Sequence, residues 1–227
     1  VSVELVILSK SKNYWAEDLN NYFKSSHIIY DDSISDDLTE KLGFCEIDIP
    51  TCKRKGSNTS AWDKAFLFLN KNLDKLDDYV WFIEDDVWTK SKENLNDLFT
   101  LCKKHQQDLI SNRIKSKSES QDWFYWSDKM IMENSKFLNN HIKSFNPICR
   151  ISKKLIIKIL MWKAQHGKFM FHEILFASLC KDHDLEMIDF SELEESYVFG
   201  EFRWRPVINK SSIIDDKIYH PVKPDYL

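Results

Sequence analysis

The stretch from Tyr79 to Trp88, YVWFIEDDVW, constrains this chain more than any other. An apolar and aromatic run, Tyr79 to Ile83, ends directly in Glu84, Asp85 and Asp86. The run is too short for a normal helix and rich in strand formers, so it reads as a buried strand. The acids then stand at the strand's C-terminal end, where open α/β sheets bind ligands. Adjacent carboxylates repel one another unless a cation or several donors compensate them. A divalent metal carrying a phosphate ligand meets that need, because hard oxygen ligands suit Mg²⁺ or Mn²⁺. A solvated acidic turn is the plain alternative for these residues taken alone.

The chain leading to this stretch alternates strand and helix signals. Val3 to Leu8 reads as a first strand, followed by the polar loop Ser9 to Asn13. Trp15, Leu19, Tyr22 and Phe23 recur at helical spacing. Ile28 to Tyr30 is a short strand ended by Asp31 and Asp32, and Phe44 to Ile49 is a further strand. A basic loop, Lys53 to Asn58, precedes Ser60, an N-cap candidate with Asp63 three residues on. The helix it opens carries Trp62, Phe66, Leu69 and Leu73 on one face. Such alternation predicts an α/β sheet with helices on its faces. Three polar strand ends would converge on one edge, and a nucleotide is the expected ligand there.

The second half is less regular. Leu95, Leu98, Phe99 and Cys102 mark a helix, and Asp108 to Ile110 a short strand. Arg113 to Gln121 reads as a polar loop, and Asp122 to Lys129, DWFYWSDK, is unusually aromatic. Pro147 to Ile151 reads as a strand, with Ser152 capping a helix that Gly167 breaks. His172 and Glu173 open an apolar helix, and Met187 to Phe190 is a last strand. The tail carries Arg203 and Arg205, then His220, Pro221, Val222 and Lys223. No repeat and no Pro-, Gly- or Ser-rich linker interrupts the 227 residues, so a single domain over 1–227 is expected.

Composition closes off several classes. An apolar share of 43% argues for a folded globule, and a net charge of −4 argues against a general nucleic-acid binder. No apolar run reaches the roughly 20 residues that a membrane span needs. The first residues lack signal-peptide regions, and the opening Val1 suits a piece of a longer protein. Five cysteines without a CxxC pair read as free thiols in a reducing, cytoplasmic compartment. With four glycines, no GxGxxG or Walker-type loop can be drawn.

An apolar strand ending in EDD, a late HE dipeptide before an apolar helix and a terminal HPVK together resemble nucleotide-sugar-dependent glycosyltransferases of the GT-A fold. The acidic triplet is similar to their DxD motif, and SAWDKAFLFLN to the helix before it. CRISKKLI and FHEILFASLC resemble the acceptor-side half, and the nearest-looking relatives are viral and bacterial enzymes. The resemblance spans nearly the whole chain and implies one Rossmann-like domain with a mixed, mostly parallel sheet. Residues to about 105 would form the nucleotide-sugar half, and those from about 106 the acceptor half.

The resemblance implies specific roles. Asp86 would coordinate Mn²⁺ or Mg²⁺, with His220 as a further ligand. Glu84 and Asp85 would contact ribose or donor-sugar hydroxyls. Ser9, Lys12, Asp31 and Asp32 would approach the base and ribose, and Lys55 and Lys223 the diphosphate. Glu173 is the candidate catalytic base, with Asp122 and Asp128 its rivals beside an aromatic acceptor platform. The expected partners are a nucleoside-diphosphate sugar, UDP-linked by preference, and a glycan or glycoprotein acceptor, with inversion expected. A sugar nucleotidyltransferase is the competing enzyme reading, although the loop SKSKN lacks the glycine that a triphosphate would need. A non-catalytic nucleotide-sugar-binding module is the other.

Overall fold

The structure is a computed structural model that describes residues 4–10, 12–30, 61–167, 169–194 and 198–223. The predicted features at Asp31, Asp32, Phe44 to Ile49, Lys53 to Asn58 and Ser60 lie outside the described residues.

The described elements run β1 (Glu4–Ser9), α1 (Tyr14–Tyr22), β2 (Ser26–Tyr30), α2 (Ala61–Lys71), β3 (Tyr79–Glu84), α3 (Lys92–Leu101), β4 (Leu109–Ser116) and α4 (Lys129–Ser135). They continue with β5 (Ile142–Ser152), α5 (Lys153–His166), α6 (His172–Asp182), β6 (Met187–Asp189), β7 (Phe199–Phe202) and β8 (Ile218–His220). Six strands form one sheet in the order β2-β1-β3-β5-β4-β6, and β7 pairs with β8 apart from it. β1 runs parallel to β2 and β3, and β4 parallel to β6, while β5 is antiparallel to both its neighbours. The fold is thus a mixed α/β sheet, and the C-terminal ends of β1, β3 and β4 share one edge.

Alternation along the strands builds two cores. Val6, Leu8, Val80 and Phe82 pack on one face with Trp62, Phe66 and residues of α5 and α6. Leu5, Ile7, Trp81 and Ile83 pack on the other with residues of α1 and α3. Local signals set the helix ends. Asn13 Oδ1 accepts the Ala16 N–H at 2.8 Å, and Ser152 Oγ accepts that of Leu155 at 3.1 Å. Gly167 ends α5 in the left-handed region at φ 75°, a conformation that suits glycine.

Three expectations are corrected. The strand predicted at Pro147 to Ile151 extends over Ile142–Ser152. Pro147 is tolerated mid-strand because it is paired in neither ladder and lies where the β4 register shifts. The strand predicted at Asp108 to Ile110 runs on to Ser116, so Arg113 to Ser116 is strand and not loop. These polar residues stay in β form because β4 and β5 project together beyond the sheet edge, where water can solvate alternate side chains. Finally, Met187 to Phe190 is not the last strand, since the tail adds β7 and β8.

Candidate functional site

The end of β3 and the turn that follows it separate the acids. Glu84 follows Val80 and Phe82 toward α2, where the Trp62 indole N–H donates to its Oε1 at 2.9 Å. Asp85 turns to the opposite side. Its Oδ2 accepts from Ser9 Oγ at 2.8 Å, the Lys10 backbone N–H at 3.1 Å and Asn13 Nδ2 at 3.1 Å. Its own N–H donates to the Leu8 carbonyl at 2.9 Å. Asp85 is therefore a clamp that ties the loop after β1 to the end of β3. Carboxylate acceptors of this kind are strong because the charge assists every bond.

Asp86 meets the tail. Trp88 and Tyr219 exchange backbone hydrogen bonds at 2.9 and 2.8 Å, and the Val222 N–H donates to the Asp86 carbonyl at 2.8 Å. This pairing holds His220, which is 3% exposed, against the acids. His220 Nδ1 lies 2.7 Å from the Arg203 carbonyl. A carbonyl can only accept, which assigns a proton to Nδ1 and leaves Nε2 with a lone pair in the neutral ring. Nε2 lies 3.2 Å from Asp86 Oδ1. That oxygen is buried and makes no well-aligned hydrogen bond among the described residues. Ligand atoms of Glu84, Asp86 and His220 all fall within 4.8 Å of one another.

A lone pair facing a carboxylate oxygen is repulsive unless a proton or a cation intervenes. The Glu84 carboxyl registers the crowding: burial first, then Asp86, pushes its pKa up from 4.5 to about 7, and His220 opposes this only when its ring is protonated. A divalent cation would relieve the buried oxygen, the imidazole lone pair and the carboxylate repulsion together. Two carboxylates and one imidazole, with the ring oriented from behind by a backbone carbonyl, form a donor set that fits a divalent cation.

The remaining predicted residues are distributed around this cluster. Ser9 is buried with its hydroxyl turned to Asp85, and Lys12 is exposed just before the Asn13 cap. Lys223 is exposed directly after the Val222 pairing. Asp31, Asp32 and Lys55 lie outside the described residues. Glu173 is half-buried in the first turn of α6. His172 beside it stacks on Trp62, centroids 4.2 Å apart and planes 17° apart, so Trp62 links the start of α6 to Glu84. Asp128 is farther along the chain's aromatic stretch, where its Oδ1 accepts the Ile131 N–H at 3.1 Å and caps α4. Trp123 and Tyr125 pack on Phe171 with centroids 6.3 and 5.0 Å away, and Tyr125 meets Trp204 at 6.2 Å.

Sequence reasoning grouped Glu84 with Asp85 and apart from Asp86 and His220. The division seen here was not legible, because β3 ends at Glu84 and the next two acids lie in the turn beyond it, where strand alternation no longer assigns sides. Trp62 was legible only as a core residue, because nothing local marks its N–H as a partner of Glu84.

Fold and site together define an α/β protein with a carboxylate–histidine cluster at the C-terminal edge of its sheet. No known protein-family profile matches the chain, and no curated protein does. Among solved structures, mouse xyloside xylosyltransferase 1 in its apo form is similar over 90% of this chain and 88% of that one, at 11% identity and a TM-score of 0.41. An active-site mutant of LgtC is similar over 87% of this chain and 75% of that one, at 12% identity and a TM-score of 0.42. The galactosyltransferase LgtC in complex with donor and acceptor sugar analogues covers the same shares at 12% identity and a TM-score of 0.38. No helix among the described residues is long and apolar enough to cross a membrane.

Proposed function

We propose that this chain is a metal-dependent glycosyltransferase, one GT-A domain that moves a sugar from a nucleoside-diphosphate sugar to an acceptor hydroxyl. The observation that carries this reading is the convergence of Glu84, Asp86 and His220 within 4.8 Å at the ligand-binding edge of the sheet. When bound there, a divalent cation supplies charge neutralisation for the diphosphate leaving group. Asp86 and His220 are its principal ligands, and Glu84 either joins them or accepts a donor-sugar hydroxyl.

The other residues orient and exclude. Asp85 fixes the loop carrying Ser9 and Lys12 against β3, so that this loop can face the base and ribose, for which Asp31 and Asp32 are offered as hydrogen-bond acceptors. Lys223 and Lys55 offer point charges to the phosphates. Trp62 and His172 form an aromatic partition between the acids and α6. Glu173, at the start of α6, takes the proton from the acceptor hydroxyl as that oxygen bonds to the anomeric carbon and the sugar–phosphate bond breaks on the opposite face, a single displacement that inverts the anomeric centre. Asp128 is committed to capping α4 and so is the weaker candidate base. The donor is UDP-linked in this reading, the acceptor a glycan or glycoprotein, and the compartment cytoplasmic.

Thermal denaturation with UDP and Mn²⁺ tests the reading. The wild-type midpoint should rise with the two together, and Asp86→Ala should abolish the rise. Absence of any shift with UDP, GDP or other nucleoside diphosphates in Mn²⁺ would overturn it.

A further inference from the structure

The β4–β5 pair carries a cluster that the donor site does not use. Its register sets Lys115 directly opposite Lys143. Like charges in directly opposed positions of an antiparallel pair destabilise it. A third cation, Arg113, joins them. Its guanidinium carbon lies 5.4 Å from the Phe145 ring centre, and its Nη2 donates to the Phe202 carbonyl at 2.7 Å. Arg113 also holds a left-handed backbone at φ 52°, a conformation that costs a non-glycine side chain energy and concentrates at functional sites.

The position of this ridge is informative. Phe145, two residues from Lys143, packs its ring 5.2 Å from that of His220, so the ridge begins beside the proposed metal cluster. Lys143 Nζ sits 4.9 Å from the Trp123 ring centre, so the ridge ends on the aromatic group formed with Tyr125 and Phe171. Lys143 is half-buried, and burial holds its ammonium below the ordinary lysine range. Glu173 opposes that effect, Arg113 and Lys115 add to it, and Asp122 opposes it. The candidate base thus lies within electrostatic reach of the cations. Neither Lys115 nor Lys143 forms an ion pair with an acid among the described residues.

Three cations between the carboxylate–histidine cluster and an aromatic face, close to a candidate base, form an arrangement that an anion would relieve. We propose that this ridge is an acceptor subsite for a sugar carrying a negatively charged group, a carboxylate or a phosphate, near the hydroxyl that is glycosylated. The proposal rests on the transferase reading for the word acceptor, while the anion preference stands on the ridge itself. Trp123 and Tyr125 would pack on the sugar's C–H faces, and Lys143 and Lys115 would hold the charge.

Calorimetric titration of the full chain with glucuronic acid, glucose 6-phosphate and glucose tests it. At least one acidic sugar should bind about tenfold more tightly than glucose, as a charge-assisted hydrogen bond allows. The preference should shrink as salt is added. The two acidic probes separate carboxylate from phosphate recognition. Lys115→Gln combined with Lys143→Gln should erase the preference, leave UDP–Mn²⁺ binding unchanged and not lower the urea midpoint, since a like-charge pair is removed. No preference in the wild type, or one that survives in the double variant, overturns the proposal. A preference without UDP–Mn²⁺ binding would keep the anion subsite and remove the transferase reading. UDP–Mn²⁺ binding without a preference would do the reverse.

Discussion

Replacing Glu84 with Gln should make the metal-free protein more stable at alkaline pH and its metal-bound form less so. Burial and, after it, the Asp86 carboxylate push the Glu84 pKa from 4.5 to about 7. A carboxyl whose folded pKa is raised contributes stability that is complete below about 4.5 and lost as pH climbs through about 7. At about 1.4 kcal/mol per pH unit, the gap amounts to about 3 kcal/mol, a large part of the stability of an ordinary domain. Gln keeps an oxygen for the Trp62 indole N–H and stays neutral at every pH. The stability difference between Glu84→Gln and wild type should therefore be near zero below pH 4.5 and approach about 3 kcal/mol at pH 8. Urea unfolding in EDTA across that range measures it directly. Mn²⁺ should reverse the order at pH 8, because the cation favours the charged carboxylate that Gln lacks. A thousandfold excess of Mn²⁺ over its Kd would add about 4.1 kcal/mol to the wild type, more than the gap it has to close. Equal stability of variant and wild type at pH 8 in EDTA would refute the claim that Glu84 is a crowded carboxylate.

Trp62→Phe should keep the stack on His172 but remove the hydrogen bond that lowers the Glu84 pKa. The pH at which Mn²⁺ stabilisation is half-developed should then rise, as read by thermal denaturation. Asp85→Ala should act differently from changes at Asp86. It strands the Ser9, Lys10 and Asn13 donors and should cost about 2–4 kcal/mol of unfolding free energy, with or without metal. Glu173→Gln should lower kcat by about 10²-fold or more, with donor KM and urea midpoint unchanged. An equal fall in donor affinity would remove Glu173 from the role of base.

The parts of the fold that were legible depended on short-range signals. β3 was readable because an unbroken apolar run buried on both faces has few alternatives. α5 was readable because Ser152 and Gly167 mark its two ends. The full length of β4 was not, since Arg113 to Ser116 is polar. Its strand form depends on β5, whose partner residues lie about thirty positions away.

The aromatic stretch around Trp123 and Tyr125 shows the same division. Trp123 and Tyr125 stood out in composition. Their packing on Phe171, and their closeness to Lys143, needed α6 and β5 to be brought beside them.

By itself, the sequence determined the α/β character and the buried strand beneath the acids, because burial pattern is a local property. The candidacy of Asp86 and His220 came with the family resemblance, since a strand that ends in carboxylates is equally a solvated turn. Tertiary structure alone decided how the triplet divides. Asp85 is spent on holding the loop after β1, whereas Glu84 and Asp86 face the histidine. That division follows from which helix covers each face of the sheet, and from backbone pairing between Trp88 and Tyr219 that closes a span of 131 residues. Loop closure over such a distance is recorded in no short stretch of the chain.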